Sequence, residues 1–103
     1  MAVTVTGATF DREVLASDVP VLVDFWASWC APCLAVAPLL EALAAEHGLK
    51  LVKVSYDDEP ALADRFGVQA IPNVILFRDG GPAAQVIGAR PKAALAKAFG
   101  LLP

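Results

Sequence analysis

The segment Val21–Trp26 (VLVDFW) constrains the fold more than any other part of the sequence. Its odd-numbered positions are all apolar, Leu22 and Trp26 make the opposite face apolar as well, and only Asp24 is polar. A strand that is apolar on both faces is typical of a sheet covered by helices on both sides. We therefore expect Val21–Trp26 to be a central strand of an α/β fold.

Four further segments have strand patterns, and the last two form a hairpin pattern. Residues 3–6 predict a short edge strand, and the other predicted strands are 49–56, 74–77 and 83–87. Asp79 and Gly80 stand between the last two, as in a tight hairpin turn. Because strands first alternate with helices and a hairpin follows, we predict a mixed sheet with helices on both faces.

Four segments have helical patterns. A brief helix is predicted after Thr9, its expected N-cap, and it ends before Pro20. The longest, Ala31–His47, has apolar residues at helical spacing, Gly48 as its C-terminal cap and an internal Pro38 that should kink it. Residues 60–66 and a segment from Pro91 predict two more helices. The residues assigned to the core are Phe10, Phe25, Phe66, Phe77, Leu95, Phe99 and Leu102.

Composition limits the class of protein. A chain of 103 residues, 57% hydrophobic and 18% charged, is predicted to fold as a single domain, 1–103. Its longest apolar stretch, residues 30–40, is well short of the roughly 20 residues of a membrane helix. The net charge of −3 and the lack of a Lys/Arg run argue against nucleic acid as a partner. Without a secretory signal pattern, a cytoplasmic monomer is the default expectation.

Cys30 and Cys33 lie between the central strand and the longest predicted helix. A thiol at a helix N-terminus is expected to have a pKa below its usual value of about 8.5, because free N–H groups and the helix dipole favour the thiolate. Cys30 is therefore the expected nucleophile. Cys33, one turn further on, is the expected resolving thiol, and Pro32 fits the first helical turn between them.

Other interpretations of the two cysteines remain open. Structural zinc needs four N or S ligands, and only His47 is left to join the pair, so a complete zinc site within one chain is excluded. His47 itself suits the C-terminal end of its helix. The pair could also be two structural thiols, the site of an oxidant or isomerase, or half of a metal or iron–sulfur site shared between two chains. A further alternative is a binding module whose surface serves as a partner subunit.

The segment VDFWASWCAPC resembles the active-site segment of the thioredoxin family, usually written WCGPC. The resemblance extends over essentially the whole chain, and its further matches are Pro38, Lys53, Tyr56–Asp57, Ile71–Pro72, VILF with Asp79–Gly80, and Ile87–Gly88–Ala89. It implies a thioredoxin fold, with a five-stranded mixed sheet flanked by four helices. It also implies protein disulfides as substrates and re-reduction by a flavoprotein thioredoxin reductase that draws on NADPH. This chain has no nucleotide-binding motif, and we expect no bound cofactor or metal.

The resemblance also implies roles for Asp24 and Lys53. Asp24 corresponds to a buried carboxylate that handles the proton of Cys33, with Lys53 as its counter-charge on a neighbouring strand. Burial in the middle of VLVDFW is independently expected to raise the pKa of Asp24 towards that of a general base. Trp26 is expected to be a core aromatic beneath the site.

A substrate surface follows from the same resemblance. Pro72 corresponds to a cis-proline that faces the cysteines, and the backbone of Ile71 would bond an extended target peptide. A flat apolar patch is implied around the dithiol, made of Trp29, Ala31, Pro32, Ile71, Gly88 and Ala89.

Two residues depart from the family pattern. Ala31 stands where Gly is usual, which we expect to stiffen the loop and alter the reduction potential. Leu34 stands where many thioredoxins have a basic residue. Loss of that charge is expected to raise the pKa of Cys30 and to change recognition by the reductase.

Overall fold

One mixed sheet organises the computed structural model, which describes residues 2–101. Its five strands within that range are β1 Ala2–Thr4, β2 Val21–Trp26, β3 Lys50–Ser55, β4 Asn73–Arg78 and β5 Gly81–Ile87. The strand order is β1-β3-β2-β4-β5, with β3 parallel to β1 and β2, and β4 antiparallel to β2 and β5. The predicted mixed sheet with Val21–Trp26 at its centre is therefore confirmed.

Four helices accompany the sheet in the described residues, as the resemblance implied. Three are α-helical: α1 Ala31–His47, α2 Pro60–Arg65 and α3 Lys92–Ala98. The fourth, Asp11–Leu15, is a π-helical segment, in which the Ala16 N–H donates to the Asp11 carbonyl. None of the helices described is both long and apolar enough to cross a membrane.

The prediction of Thr9 as an N-cap is wrong. Phe10 occupies that position without a side-chain cap. The Thr9 hydroxyl oxygen instead accepts a hydrogen bond from the Thr6 N–H at 2.9 Å. The hydroxyl therefore bonds the backbone of the preceding turn and does not cap the helix. Such local side chain–backbone bonds are common for threonine.

The long helix α1 has the predicted bounds because both of its ends are marked by local chemistry. Cys30 is its N-cap, Pro32 lies in its first turn, and Pro38 lies inside it. Gly48 adopts a left-handed conformation (φ 65°), and its N–H donates to the Ala44 carbonyl. The first turn of α1 is thereby placed directly after the loop that follows β2.

Both faces of the sheet are covered by apolar layers. One layer contains Val21, Val23, Phe25, Phe10 and Phe77. The other contains Leu22, Val36, Leu40, Leu95 and Phe99. The predicted core aromatics are thus buried, except that Phe66 and Trp26 are only partly so; Leu102 lies outside the described residues.

The β4–β5 hairpin brings a second loop to the end of the sheet where α1 begins. Asp79 and Gly80 both have positive φ, 52° and 80°, as a two-residue hairpin turn of type I′ requires. At the other end of the hairpin, the Gly88 N–H donates to the Pro72 carbonyl at 2.8 Å. The segments before β4 and after β5 therefore lie side by side.

Candidate active site

Cys30 and Cys33 form a disulfide at the N-terminus of α1. Their Cα atoms are 5.2 Å apart, inside the usual range for a disulfide. The Cys33 N–H, one of the N–H groups left free at a helix start, donates to the Cys30 Sγ at 3.2 Å. A thiolate at Cys30 would receive the same hydrogen bond after reduction, which would stabilise its charge.

The two cysteines differ in access. Cys30 is 5% exposed and Cys33 is 1% exposed. Both pack in a small apolar cluster with Trp26 and Ile71. An incoming sulfur would therefore meet Cys30 first.

Trp29 is the exposed aromatic beside the disulfide, with 65% of its surface accessible. Its indole N–H donates to the Asp57 carboxylate at 2.8 Å. Asp57 is among the residues that match the family, but the sequence assigned it no role in the site. The available signal was topological, since Asp57 follows β3, and the carboxyl ends of the parallel strands β2 and β3 meet at one edge.

The loop before β4 faces the same site. The Ile71–Pro72 peptide bond is cis, as the resemblance implied. Ile71 packs against the cysteine cluster. Gly88 has φ 92°, a left-handed conformation that favours glycine.

The residues expected to surround the dithiol differ in solvent exposure. Trp29, Ala31, Pro32 and Ala89 are exposed, whereas Ile71 and Gly88 are half-buried. Leu34, which stands where many thioredoxins have a basic residue, is 51% exposed.

Asp24 is buried in the middle of β2, with 1% of its surface exposed. Alternation along the strand places it on the same face as Leu22, which packs against α1. Burial raises the pKa of Asp24 from 3.8 to about 6, while the positive charge of Lys53 acts in the opposite direction. Neither carboxylate oxygen has a hydrogen-bond partner among the described residues.

Lys53 lies next to Asp24 because the two residues are in register on β3 and β2. Its Nζ atom is 3.8 Å from the Asp24 Oδ2 and 4.5 Å from the centre of the Trp26 ring. The indole nitrogen of Trp26 is itself buried without a partner among residues 2–101. The structure therefore brings Asp24, Lys53 and Trp26 together beneath the disulfide-bearing end of the sheet.

His47 lies in the last turn of α1, at the opposite end of that helix from the cysteines. Within residues 2–101, no group of three or more His, Cys, Asp or Glu side chains is placed to hold a metal ion.

A disulfide at a helix N-terminus, on a sheet of this topology, defines a thiol–disulfide oxidoreductase. The model of the thioredoxin family matches residues 1–100, and this chain belongs to that family. The resemblance inferred from the sequence is confirmed.

The curated relatives include thioredoxins from several bacteria. The chain is 47% identical over 98 residues to thioredoxin 1 of Synechococcus elongatus, covering 93% of this chain and 92% of that protein. It is 52% identical over 97 residues to the thioredoxin of Mycolicibacterium smegmatis, covering 90% and 87%. It is 48% identical over 93 residues to the thioredoxin of Streptomyces clavuligerus, covering 88% and 86%.

Proposed function

We propose that this chain is a reducing electron carrier that cleaves disulfides in target proteins, with Cys30 as the attacking thiol and Cys33 as the resolving thiol. We also propose that it works as a cytoplasmic monomer and is re-reduced by a flavoprotein thioredoxin reductase that draws on NADPH. The observation that carries the assignment of roles is the hydrogen bond from the Cys33 N–H to the Cys30 Sγ.

The reaction takes place in two exchange steps. In the reduced chain, the Cys30 thiolate attacks one sulfur of the target disulfide; the target S–S bond breaks, and the other target sulfur leaves as a thiolate. Cys33 then loses its proton and attacks the Cys30 sulfur, which releases the second target thiolate. Two electrons have passed to the target, whose thiolates take up protons, and Cys30 and Cys33 are left joined as a disulfide.

Asp24 is proposed to accept the proton that Cys33 loses in the second step. Its raised pKa of about 6 makes it a stronger base than an exposed carboxylate. Lys53, with Nζ 3.8 Å from the carboxylate, limits that rise and stabilises the charged form. Asp24 and Cys33 are both buried, so the proposed acceptor lies inside the protein with the thiol that it serves.

The target is proposed to bind as an extended segment across Ile71–Pro72. The backbone of Ile71 would pair with the target backbone in the manner of an added strand. The exposed ring of Trp29, held by Asp57, and the exposed Ala89 would provide apolar contact on either side. Such a surface favours unfolded or loop segments over rigid ones.

Reduction of insulin by dithiothreitol tests the proposal. The chain should accelerate precipitation of the reduced insulin chains, and Cys30→Ser should abolish the acceleration. Cys33→Ser should accumulate a mixed disulfide through Cys30, and trapping in a cell extract would identify the targets. If the unsubstituted chain gives no acceleration, the proposed function is wrong.

Two further measurements test the partner and the remaining interpretation of the cysteines. A purified thioredoxin reductase should oxidise NADPH in the presence of the oxidised chain, and no NADPH consumption would contradict the proposed reductant. About half an equivalent of zinc or iron per freshly purified chain would instead support a metal site shared by two chains.

A further inference from the structure

The two segments proposed to contact the target lie at adjacent ends of β4 and β5. Ile71–Pro72 precedes β4, and Gly88 follows β5. The Gly88 N–H donates to the Pro72 carbonyl, and the neighbouring residues Asn73 and Ile87 are the last paired Cα positions. The spacing of the two contact segments therefore depends on how these strand ends are held together.

Next to these segments, a buried amide side chain on β4 is hydrogen-bonded to an exposed amide side chain on β5. Asn73 is 1% exposed and, with Asp24, is one of two polar residues buried in the described part of the chain. The Gln85 side-chain amide donates to the Asn73 Oδ1 at 2.9 Å. A buried amide without a hydrogen-bond partner is costly. The bond from Gln85 gives the buried Asn73 Oδ1 its partner.

The bond joins β4 and β5 near the ends that carry the two contact segments. Asn73 opposes Ile87 and Gln85 opposes Ile75, so the bond runs diagonally between neighbouring cross-strand pairs. Over residues 2–101 it is the one side chain–side chain hydrogen bond that joins β4 to β5.

Within residues 2–101, the strand that carries Gln85 is paired along one edge only. In the described residues, β5 is an edge strand that pairs only with β4. The β4–β5 register is also irregular between Leu76 and Phe77, on the hairpin side of the amide pair. Between that irregularity and the contact segments, the Asn73–Gln85 bond adds a fixed side-chain link to the backbone ladder.

We propose that Asn73 and Gln85 are positioning residues for the reduction of protein disulfides. Their bond holds Gly88 and Ala89 at the distance from Ile71–Pro72 that an extended target segment requires. Neither amide is hydrogen-bonded to the dithiol, so the pair acts on binding of the target and leaves the reactivity of Cys30 unchanged. This inference rests on the proposed function and adds a determinant of target binding to it.

The test replaces both amides by apolar side chains of similar shape, in the double variant Asn73→Leu/Gln85→Met. Exchanging both partners of a hydrogen bond in this way leaves stability nearly unchanged. The KM for insulin should rise about threefold to tenfold, because the contact segments are no longer held in place. The rate at which the pre-reduced variant cleaves 2-hydroxyethyl disulfide, which has no backbone to pair, should stay within about twofold of the unsubstituted chain.

Two single variants supply a matched control. Gln85→Lys keeps a donor for the Asn73 Oδ1 and should retain the KM of the unsubstituted chain, whereas Gln85→Met removes the bond and should raise the KM. Thermal unfolding of each variant checks that it is folded at the assay temperature.

Two results would overturn the inference. One is an unchanged KM for insulin in the double variant. The other is a parallel change with insulin and with 2-hydroxyethyl disulfide, which would place the effect on the dithiol. Either result leaves the proposed function standing, because that function is tested by the activity of the unsubstituted chain alone.

Discussion

At the scale of single residues, burial of Asp24 lowers the stability of the fold but makes the carboxylate a stronger base. Its folded-state pKa of about 6 lies above the value of 3.8 for an unperturbed carboxyl, so the folded chain binds the proton more tightly than the unfolded chain. Folding stability therefore falls as pH rises through the interval from about 4 to about 6, and above it the full cost of the buried charge remains.

Asp24→Asn should remove that cost. A shift of about two pKa units corresponds to about 3 kcal/mol, so the free energy of unfolding should rise by about that amount at pH 7–8. The gain should shrink as pH falls and vanish below about pH 4. Denaturant unfolding of the oxidised chain across this range measures it, with the exposed Asp58→Asn as control, expected within about 0.5 kcal/mol. A gain that does not depend on pH would contradict the assignment.

The same substitution should slow catalysis while it stabilises the fold. With Asn at position 24, Cys33 loses its internal proton acceptor, and release of the target from the mixed disulfide should slow near neutral pH. Rapid-mixing kinetics of that step provide the measurement. Identical rates from pH 6 to pH 8 would exclude a role in proton transfer.

Sequence reasoning found residues whose chemistry is local and missed those whose role is set by tertiary contacts. The dithiol is recognisable because Cys30, Pro32 and Cys33 occupy one helical start. Asp57 and the Asn73–Gln85 pair are polar residues at strand ends or on an edge strand, where polar residues are common. Only the packing of distant segments distinguishes them.

At the scale of elements, the C-terminal end of α1 shows how one residue stops a helix. Gly48 has φ 65°, and a Cβ added there would meet no atom within 4 Å, so backbone strain is the only structural cost of a side chain. Gly48→Ala should lower the free energy of unfolding by about 1 kcal/mol. Gly81→Ala, at a position without positive φ and equally open, is the matched control. Denaturant unfolding should separate the two, and equal stability would contradict this account of the cap.

Element bounds were predictable where side chains mark them. Val21–Trp26 and Ala31–His47 have the predicted bounds, since a loop and helix cap follow the strand and Gly48 follows the helix. The two hairpin strands are longer than predicted and span Asn73–Arg78 and Gly81–Ile87. Backbone hydrogen bonding continues past the residues whose apolar pattern predicted the strands. The π-helical hydrogen bonding of Asp11–Leu15 has no signal in residue spacing.

At the scale of the whole molecule, two apolar layers hold one sheet from both sides. Phe10 is fully buried in the layer opposite α1, where its ring centroid lies 5.1 Å from that of Phe66 and 5.8 Å from that of Phe77. Phe10→Ala should lower the free energy of unfolding by about 3–5 kcal/mol, and Phe66→Ala by less because Phe66 is only partly buried. Denaturant unfolding at pH 7 gives both values, and a greater loss at Phe66 would contradict the described packing.

The central claim is that Cys30 is the thiolate from which electron transfer to the target begins. The most direct test is the rate of alkylation of the reduced chain by iodoacetamide as a function of pH, with peptide mapping of the modified cysteine. We predict that Cys30 is modified first, with a midpoint below about pH 8.5, while Cys33 stays largely unmodified. Modification of Cys33 first, or of neither thiol until well above pH 9, would contradict the account.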